Sequence, residues 1–109
     1  MSKEEDNMEE MEMICFKIIS AVGEAKSDYI SALEAAKKGD YEKAEEMIRH
    51  GEECYLNGHK QHAELITKEA GGEKTEVCLL LMHAEDQLMA AETIKLLAVE
   101  LIGLYKKIN

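Results

Sequence analysis

The chain has 109 residues, a formal charge of −10 and no proline, and 46% of its residues are hydrophobic. This length supports one small domain with a single core, and the abundance of alanine, leucine, glutamate and lysine favours helices. The negative charge argues against nucleic acid and anionic membrane surfaces as partners, because both would repel the chain. No apolar run reaches the roughly 18 residues that a membrane-inserted helix needs.

Glycine-containing breaks divide the chain into three predicted helices. Residues 1–8 are acidic and show no apolar period, so we expect them to form a flexible segment ahead of a single domain over residues 9–109. The three helices are predicted at about residues 9–38, 41–69 and 73–107.

The first two helices each show one apolar stripe with steps of three and four residues. In the first helix it comprises Met11, Cys15, Ile18, Val22, Ala25, Tyr29, Ala32 and Ala36. In the second it comprises Ala44, Ile48, Gly51, Tyr55, Gly58, His62 and Leu65. At the first break, Gly39 suits a left-handed C-terminal position and Asp40 suits an N-cap. Asn57-Gly58 is a turn signal, but the stripe continues through Gly51 and Gly58, which predicts one helix that approaches its neighbour closely.

The third helix carries two apolar stripes. One comprises Leu80, Ala84, Gln87, Ala91, Ile94, Ala98, Leu101, Tyr105 and Ile108, and the other comprises Leu79, Met82, Asp86, Met89, Thr93 and Leu96. A helix in an isolated three-helix bundle needs only one apolar stripe. We therefore predict an all-α, antiparallel up-down-up bundle that assembles into an oligomer through its third helices.

Asp86 is the only charged residue on the second stripe. If an oligomer brought two such carboxylates to about 4 Å, each pair would repel by roughly 4 kcal/mol at an effective dielectric of 20. Protonation or a bound cation would relieve that repulsion, and a hard cation such as Mg²⁺ suits an all-oxygen site. Periodicity alone leaves open the alternative that Asp86 points to solvent.

The four histidines differ in their surroundings. We expect His50 to lie on the surface, and His59 and His62, three residues apart, offer only two metal ligands. His83 lies between the two stripes of the third helix, with Asp86 and Gln87 at i+3 and i+4. A neutral imidazole with one bare nitrogen is a nucleophile, and apolar Leu79, Leu80 and Met82 would offer a partner a dry docking surface. The residues alone still favour a structural histidine at position 83.

Cysteine usage and the N-terminal sequence bear on the compartment. The three cysteines are far apart, form no Cys-x-x-Cys pair and are odd in number, which indicates reduced thiols packed in a core. The first residues lack the basic and apolar pattern of a secretory signal. We therefore expect a cytoplasmic protein.

Several segments resemble one bacterial family. Leu81-Met-His-Ala-Glu-Asp-Gln-Leu-Met89 is similar to the His-Ala-Gln-Asp-His-Leu-Met pattern of the lactose/cellobiose-type enzyme IIA proteins of the phosphoenolpyruvate-dependent sugar phosphotransferase system. The resemblance extends over nearly the whole chain. It includes Gly23-Glu-Ala-Lys-Ser27, Ala35-Ala-Lys-Lys-Gly-Asp-Tyr-Glu-Lys-Ala44, the Gly71-Gly72 break and Leu101-Ile-Gly-Leu-Tyr-Lys-Lys107.

The resemblance implies a homotrimer with nine helices, in which Asp86 of each subunit binds Mg²⁺ on the threefold axis. It also implies that His83 accepts a phosphoryl group from phospho-HPr and passes it to a cysteine of enzyme IIB. The reaction would serve uptake of a disaccharide such as lactose, cellobiose or chitobiose. Glu85 and Gln87 depart from the family pattern. We expect Glu85 to lie on an exposed face, and Gln87 can form a hydrogen bond to His83 or to the phosphoryl group but cannot titrate.

A different class of protein remains as an alternative. The segment Ala35–Glu46 is also typical of a tetratricopeptide-like helical hairpin, which would make the chain a non-enzymatic adaptor. Against this hypothesis, the chain shows no second copy at a period of about 34 residues, and such units need several copies to be stable.

Overall fold

A computed structural model describes residues 2–108 (for Glu4, the backbone alone). Within this range the chain forms three α-helices and no strand: α1 (Lys3–Lys37), α2 (Tyr41–Ala70) and α3 (Leu79–Ile108). Successive helices run antiparallel, and α1 packs against both others in a rod of 60 × 25 × 19 Å. The predicted up-down-up bundle is confirmed. No helix between residues 2 and 108 combines the length and the apolar character that crossing a membrane requires.

The junction between α1 and α2 has the predicted chemistry. Gly39 adopts a left-handed conformation with φ of 82°, which costs glycine little because it has no Cβ. Asp40 is the N-cap of α2, and its Oδ1 accepts a hydrogen bond from the backbone N–H of Lys43 at 3.1 Å. The two helices therefore meet in a tight, well-capped turn.

The N-terminal boundary of α1 was predicted wrongly. The helix begins at Lys3 rather than near residue 9, so residues 3–8 are helical and not irregular. The reason is a capping signal: the Ser2 side chain accepts a hydrogen bond from the backbone N–H of Glu5 at 3.2 Å. The predicted flexible segment also included Met1, which lies outside the described residues.

The start of α3 was also predicted wrongly, because α3 begins at Leu79 rather than near residue 73. Residues 73–78 contain the β-branched Thr75 and Val77, which have low helix propensity. Val77 is 73% exposed, so no packing compensates for that propensity. The first α-helical hydrogen bond runs from the N–H of Met82 to the carbonyl of Cys78 at 3.1 Å.

The core forms along the predicted stripes of α1 and α2. From Cys15 to Ala36 every predicted α1 position is buried, and the α2 stripe is buried or half-buried throughout. A Cβ built on Gly58 would lie 2.8 Å from Val22 Cγ1, and one on Gly51 would lie 2.6 Å from Tyr29 Cε1. The predicted close approach through these glycines is confirmed, and α2 is continuous across Gly58.

On α3 the first predicted stripe is correct in the middle and wrong at its edges. Ala84, Ala91 and Ala98 are buried as expected, but Leu101 and Ile108 are exposed. The buried positions that the prediction omitted are Leu81, Leu88 and Ile102. Because α3 is apolar around most of its circumference, its sequence does not select one phase for the buried stripe.

The three cysteines are free thiols. Cys15 is buried in the core beside Ile18, and burial is the main cause that raises the pKa of its thiol. Cys54 and Cys78 are only half-buried. The expectation of core-packed thiols is therefore confirmed for Cys15 and only partly met by the other two.

Candidate functional site

His83 lies in the second turn of α3 and is exposed. Within residues 2–108 its ring makes no hydrogen bond and no ion pair. No hydrogen bond from the described residues therefore occupies either ring nitrogen, and a bare ring nitrogen is what a nucleophilic imidazole needs. No hydrogen bond from the described residues selects one tautomer of the His83 ring.

Gln87, one helical turn after His83, is contacted from α1. The Lys26 ammonium donates a hydrogen bond to Gln87 Oε1, and the pair is partly buried. The two residues are 61 positions apart, so no local pattern linked them. Gln87 has no hydrogen bond to His83 among the described residues. Lys26 brings a positive charge to the surface around His83, which sequence reasoning missed although Lys26 lies in a segment that resembles the family.

Glu85 is not on an exposed face as expected; it is half-buried. His62 of α2 donates a hydrogen bond from Nε2 to Glu85 Oε2 at 2.7 Å. This bond joins the C-terminal half of α2 to the start of α3. His62 is half-buried on its stripe, as predicted, whereas the exposed His59 lies against the Tyr55 ring with centroids 5.9 Å apart.

The second predicted stripe of α3 lies uncovered on the surface. Four large apolar side chains on it, which we call the α3 apolar face, are exposed to more than half: Leu79 82%, Met82 56%, Met89 61% and Leu96 63%. A row of exposed apolar side chains on a small protein is typical of a surface that contacts another molecule. Leu80, the remaining predicted docking residue, is half-buried and packs against the core.

Asp86 is exposed in the middle of the α3 apolar face. Within residues 2–108 its carboxylate makes no hydrogen bond or ion pair, so its oxygens are free to bind a cation. Carboxylate oxygen is a ligand that Mg²⁺ prefers, and Asp86 fits such a site as one donor. One carboxylate cannot hold the ion alone, so the remaining donors would come from water and from other copies of the chain.

Known proteins match the chain over nearly its full length. The family model for the lactose/cellobiose-specific IIA subunit of the phosphotransferase system matches residues 13–106. A lichenan-specific phosphotransferase enzyme IIA component from Bacillus subtilis is 48% identical over 101 residues, which cover 93% of this chain and 92% of the relative. A lactose-specific EIIA component from Streptococcus mutans is 39% identical over 101 residues, with coverage of 93% and 97%.

Solved structures agree with these sequence matches. The cellobiose-specific enzyme IIA from Bacillus anthracis superposes with a TM-score of 0.86 at 45% identity, covering 88% of each chain. PtcA from S. mutans superposes with a TM-score of 0.88 at 30% identity, covering 90% of this chain and 96% of that one. The three-helix fold and the sequence thus define the same class, the enzyme IIA components of sugar phosphotransferase systems. The chain belongs to the lactose/cellobiose-specific IIA family of that system.

Proposed function

We propose that the protein is a phosphoryl carrier, which accepts a phosphoryl group from phospho-HPr on His83 and passes it to a cysteine of enzyme IIB. The observation that carries this proposal is the exposed imidazole of His83, which makes no hydrogen bond or ion pair within the described residues and lies in the segment that resembles the family motif. A bare ring nitrogen attacks phosphorus while the bond from phosphorus to the donor breaks. In the second transfer the thiolate of enzyme IIB attacks the same phosphorus, and the bond from phosphorus to the His83 nitrogen breaks.

Phosphoryl transfer depends mainly on positioning and on charge stabilisation. A phosphoryl group adds strongly negative charge to a chain that already carries −10. Lys26 is the nearby source of positive charge, because its ammonium is fixed on Gln87 one turn from His83. We infer that Lys26 supports the charged group and that the Gln87 amide donates a hydrogen bond to it.

Leu79, Leu80 and Met82 adjoin His83 and supply an apolar contact for both phospho-HPr and enzyme IIB. Leu79 and Met82 are well exposed, as a docking surface requires. Both transfers need the partner to approach the same ring nitrogen, so the two partners bind in turn. We place these exchanges in the cytoplasm, with no nucleic acid and no insertion of this chain into a membrane.

We further propose a homotrimer in which the α3 apolar faces of three copies meet from Asp86 onward, so that Met89 and Leu96 become buried while Leu79 and Met82 stay open to the partners. The support is the uncovered row of apolar side chains on α3. Asp86 lies within that row, so a threefold assembly would bring three carboxylates together. Mg²⁺ bound by them would supply the positive charge that offsets their mutual repulsion.

The sugar is specified by the partners, because a carrier that exchanges phosphate with proteins does not contact it. The relatives are named for lichenan and lactose, and one solved structure for cellobiose. On that basis we propose a role in uptake and phosphorylation of a disaccharide such as lactose, cellobiose or chitobiose. The adaptor hypothesis loses its support, since the family match includes the α1–α2 junction from which it came.

Incubation with phosphoenolpyruvate, enzyme I and HPr, followed by intact mass measurement, tests the carrier role. We expect one acid-labile phosphoryl group per chain, mapped to His83. His83→Ala should lose it and keep its helical circular dichroism, whereas His59→Ala, a matched exposed histidine on α2, should be labelled fully. Label that persists in His83→Ala or maps to another histidine would overturn the assignment.

A further inference from the structure

Four side chains able to bind a metal ion face one another where α1 and α2 pack together. Glu24 and Asp28 are one turn apart on α1, and His50 and Cys54 are one turn apart on α2. Residues at i and i+4 share one face of a helix, so each helix contributes two ligand side chains to the same place. His50 was predicted as a surface residue and is exposed, yet its ring turns inward to this cluster.

The ligand atoms lie close together without an ion. His50 Nδ1 is 2.5 Å from Asp28 Oδ2, and Cys54 Sγ lies 4.0 Å from each of these two atoms. Ligand atoms of Glu24, His50 and Cys54 all fall within 4.8 Å of one another.

These distances suit a tetrahedral ion after small movements. Zinc bonds of about 2.0–2.3 Å place neighbouring ligand atoms of a tetrahedron about 3.3–3.7 Å apart. The Cys54 sulfur would move inward by a few tenths of an ångström, and His50 and Asp28 would separate. His50 and Glu24 are exposed, so their side chains have room to make this adjustment and an ion has a path from solvent.

The backbones beneath the cluster are held at close range. A Cβ built on Gly51, one residue after His50, would lie 2.6 Å from the Tyr29 ring and 3.2 Å from Asp28 Cβ. The absence of a side chain at Gly51 therefore lets α2 lie directly against the α1 turn that carries Asp28. Asp28 is 8% exposed, so its carboxylate is directed into the contact between the helices rather than to solvent.

The charges in the cluster favour a cation. Two carboxylates face the His50 ring and the Cys54 thiol, and burial together with the charges of Glu24 and Asp28 raises the pKa of that thiol. Without an ion, these two carboxylates leave negative charge in the cluster. A divalent ion would offset the charge of the two carboxylates, and the thiol would bind as the thiolate with release of its proton.

We propose that Glu24, Asp28, His50 and Cys54 form a binding site for a thiophilic divalent cation, with zinc as the expected ion. One thiolate and one imidazole with two carboxylates select zinc over Mg²⁺, which prefers all-oxygen ligands. The site links α1 to α2 and uses neither His83 nor Asp86. It is therefore a structural site, whose occupancy stabilises the helix pair on which α3 packs.

Titration of the chelator-treated, reduced full chain with Co²⁺ as a spectroscopic probe tests the proposal. We expect a thiolate-to-cobalt charge-transfer band and the visible bands of tetrahedral cobalt, both displaced by zinc. Oxygen ligands at Asp86 cannot produce the thiolate band. Zinc should also raise the melting temperature, because an ion that binds only the folded state stabilises it.

Ligand variants locate the site. Cys54→Ser, His50→Gln and Glu24→Gln should each weaken zinc binding by roughly 100-fold, as loss of a direct ligand exceeds the 10–100-fold cost of an outer-shell change. Cys78→Ser, another half-buried thiol, and His59→Gln, another exposed histidine, should bind zinc like the unmodified chain. Absence of the thiolate band in the unmodified chain, or unchanged zinc affinity in Cys54→Ser, would overturn the proposal. The test for the thiolate band uses the unmodified chain, so it does not depend on the folding of any variant.

Discussion

Lys26 and Gln87 form the contact that bears most directly on the chemistry proposed for His83. The ammonium is partly buried against α3, so its charge is screened less than that of a freely moving surface lysine. Its fixed position also means that little reorganisation is needed when negative charge arrives. A histidine in place of Gln87 would have to gain a proton to supply a positive charge at that position.

Lys26→Gln tests this role. We expect transfer from phospho-HPr to slow by roughly tenfold, because one charged donor near the phosphoryl group is lost. The hydrolytic lifetime of the phosphorylated chain should change as well. The measurement is a quenched-flow time course, read by intact mass.

Lys38→Gln is the matched control, since it removes one positive charge from an exposed position at the end of α1. It should transfer phosphate at the rate of the unmodified chain. Equal slowing in both variants would show that only the net charge matters and that Lys26 has no specific role.

At the scale of single residues, the sequence could predict which side chains lie together on one helix, but not which side chains meet between helices. His83, Asp86 and Gln87 share a surface because i+3 and i+4 neighbours must do so on a helix. Lys26 and the His62–Glu85 hydrogen bond depend on how α1 and α2 are placed against α3. Nothing in the sequence around Glu85 indicates a partner on α2, which is why an exposed position was expected.

Among the helices, the glycines on α2 determine how closely α1 and α2 pack. Gly58 faces Val22, and a side chain there would also meet the Ile18 carbonyl oxygen at 3.5 Å. Valine has one strongly preferred rotamer in a helix, so it has little freedom to move aside. The close contact at Gly58 therefore stabilises the bundle more than the higher helix propensity of alanine would.

Gly58→Ala should consequently destabilise the bundle. Overpacking costs roughly 1–3 kcal/mol, against a gain in helix propensity of up to about 1 kcal/mol. We expect the melting temperature to fall by several degrees. Gly23→Ala, on exposed α1 surface with nothing within 4 Å of the added Cβ, should instead raise it slightly. If both alanines stabilise the protein, α1 and α2 do not meet at Gly58 as described.

The start of α3 carries the surface that we propose for the partners. Met82→Glu should slow transfer from phospho-HPr by about tenfold, since a charge would enter a contact that must lose water. Helical content should not change, because Met82 is 56% exposed. Leu56→Glu is the control on α2, where Leu56 is 52% exposed, and it should transfer at the normal rate. Normal transfer by Met82→Glu would place the docking surface elsewhere.

Helix existence and helix ends differed in how well the sequence predicted them. The stripes of α1 and α2 were clear because each has one apolar face bounded by polar residues. The ends depended on single groups: the Ser2 cap extends α1, and the β-branched Thr75 and Val77 delay α3. On α3, apolar residues surround most of the helix, so the sequence did not show which of them form the buried stripe. They did correctly indicate a second apolar face that a single chain leaves exposed.

For the whole molecule, that second face connects the fold to the proposed assembly. A monomer would expose Leu79, Met82, Met89 and Leu96 together, which soluble monomers rarely do over one contiguous surface. Burying the part of this row from Asp86 onward, with Met89 and Leu96, against identical parts gives a closed cyclic oligomer and leaves Leu79 and Met82 for the partners. This arrangement brings electrostatic repulsion, because symmetry repeats the charge of Asp86 at the centre and a trimer has three repelling pairs of carboxylates.

Asp86→Leu separates the apolar contact from the charge at its centre. We expect the unmodified chain to sediment as a trimer whose melting temperature falls when a chelator removes Mg²⁺. The variant should remain trimeric, lose the response to Mg²⁺, and be at least as stable, as often occurs when buried charges are replaced by apolar groups. Analytical ultracentrifugation and thermal melts in the Cys54→Ser background keep this test apart from the proposed zinc site.

The outcome decides what role Asp86 has. His83 lies less than one turn away, so a small decrease in transfer rate in Asp86→Leu fits the proposed arrangement. A monomeric unmodified chain would mean that the α3 apolar face serves another partner and that Asp86 is a solvent-exposed carboxylate. Dissociation or unfolding of Asp86→Leu would instead show that the carboxylate makes a stabilising contact across the interface. If the carboxylate only repelled its copies, its removal would stabilise the trimer.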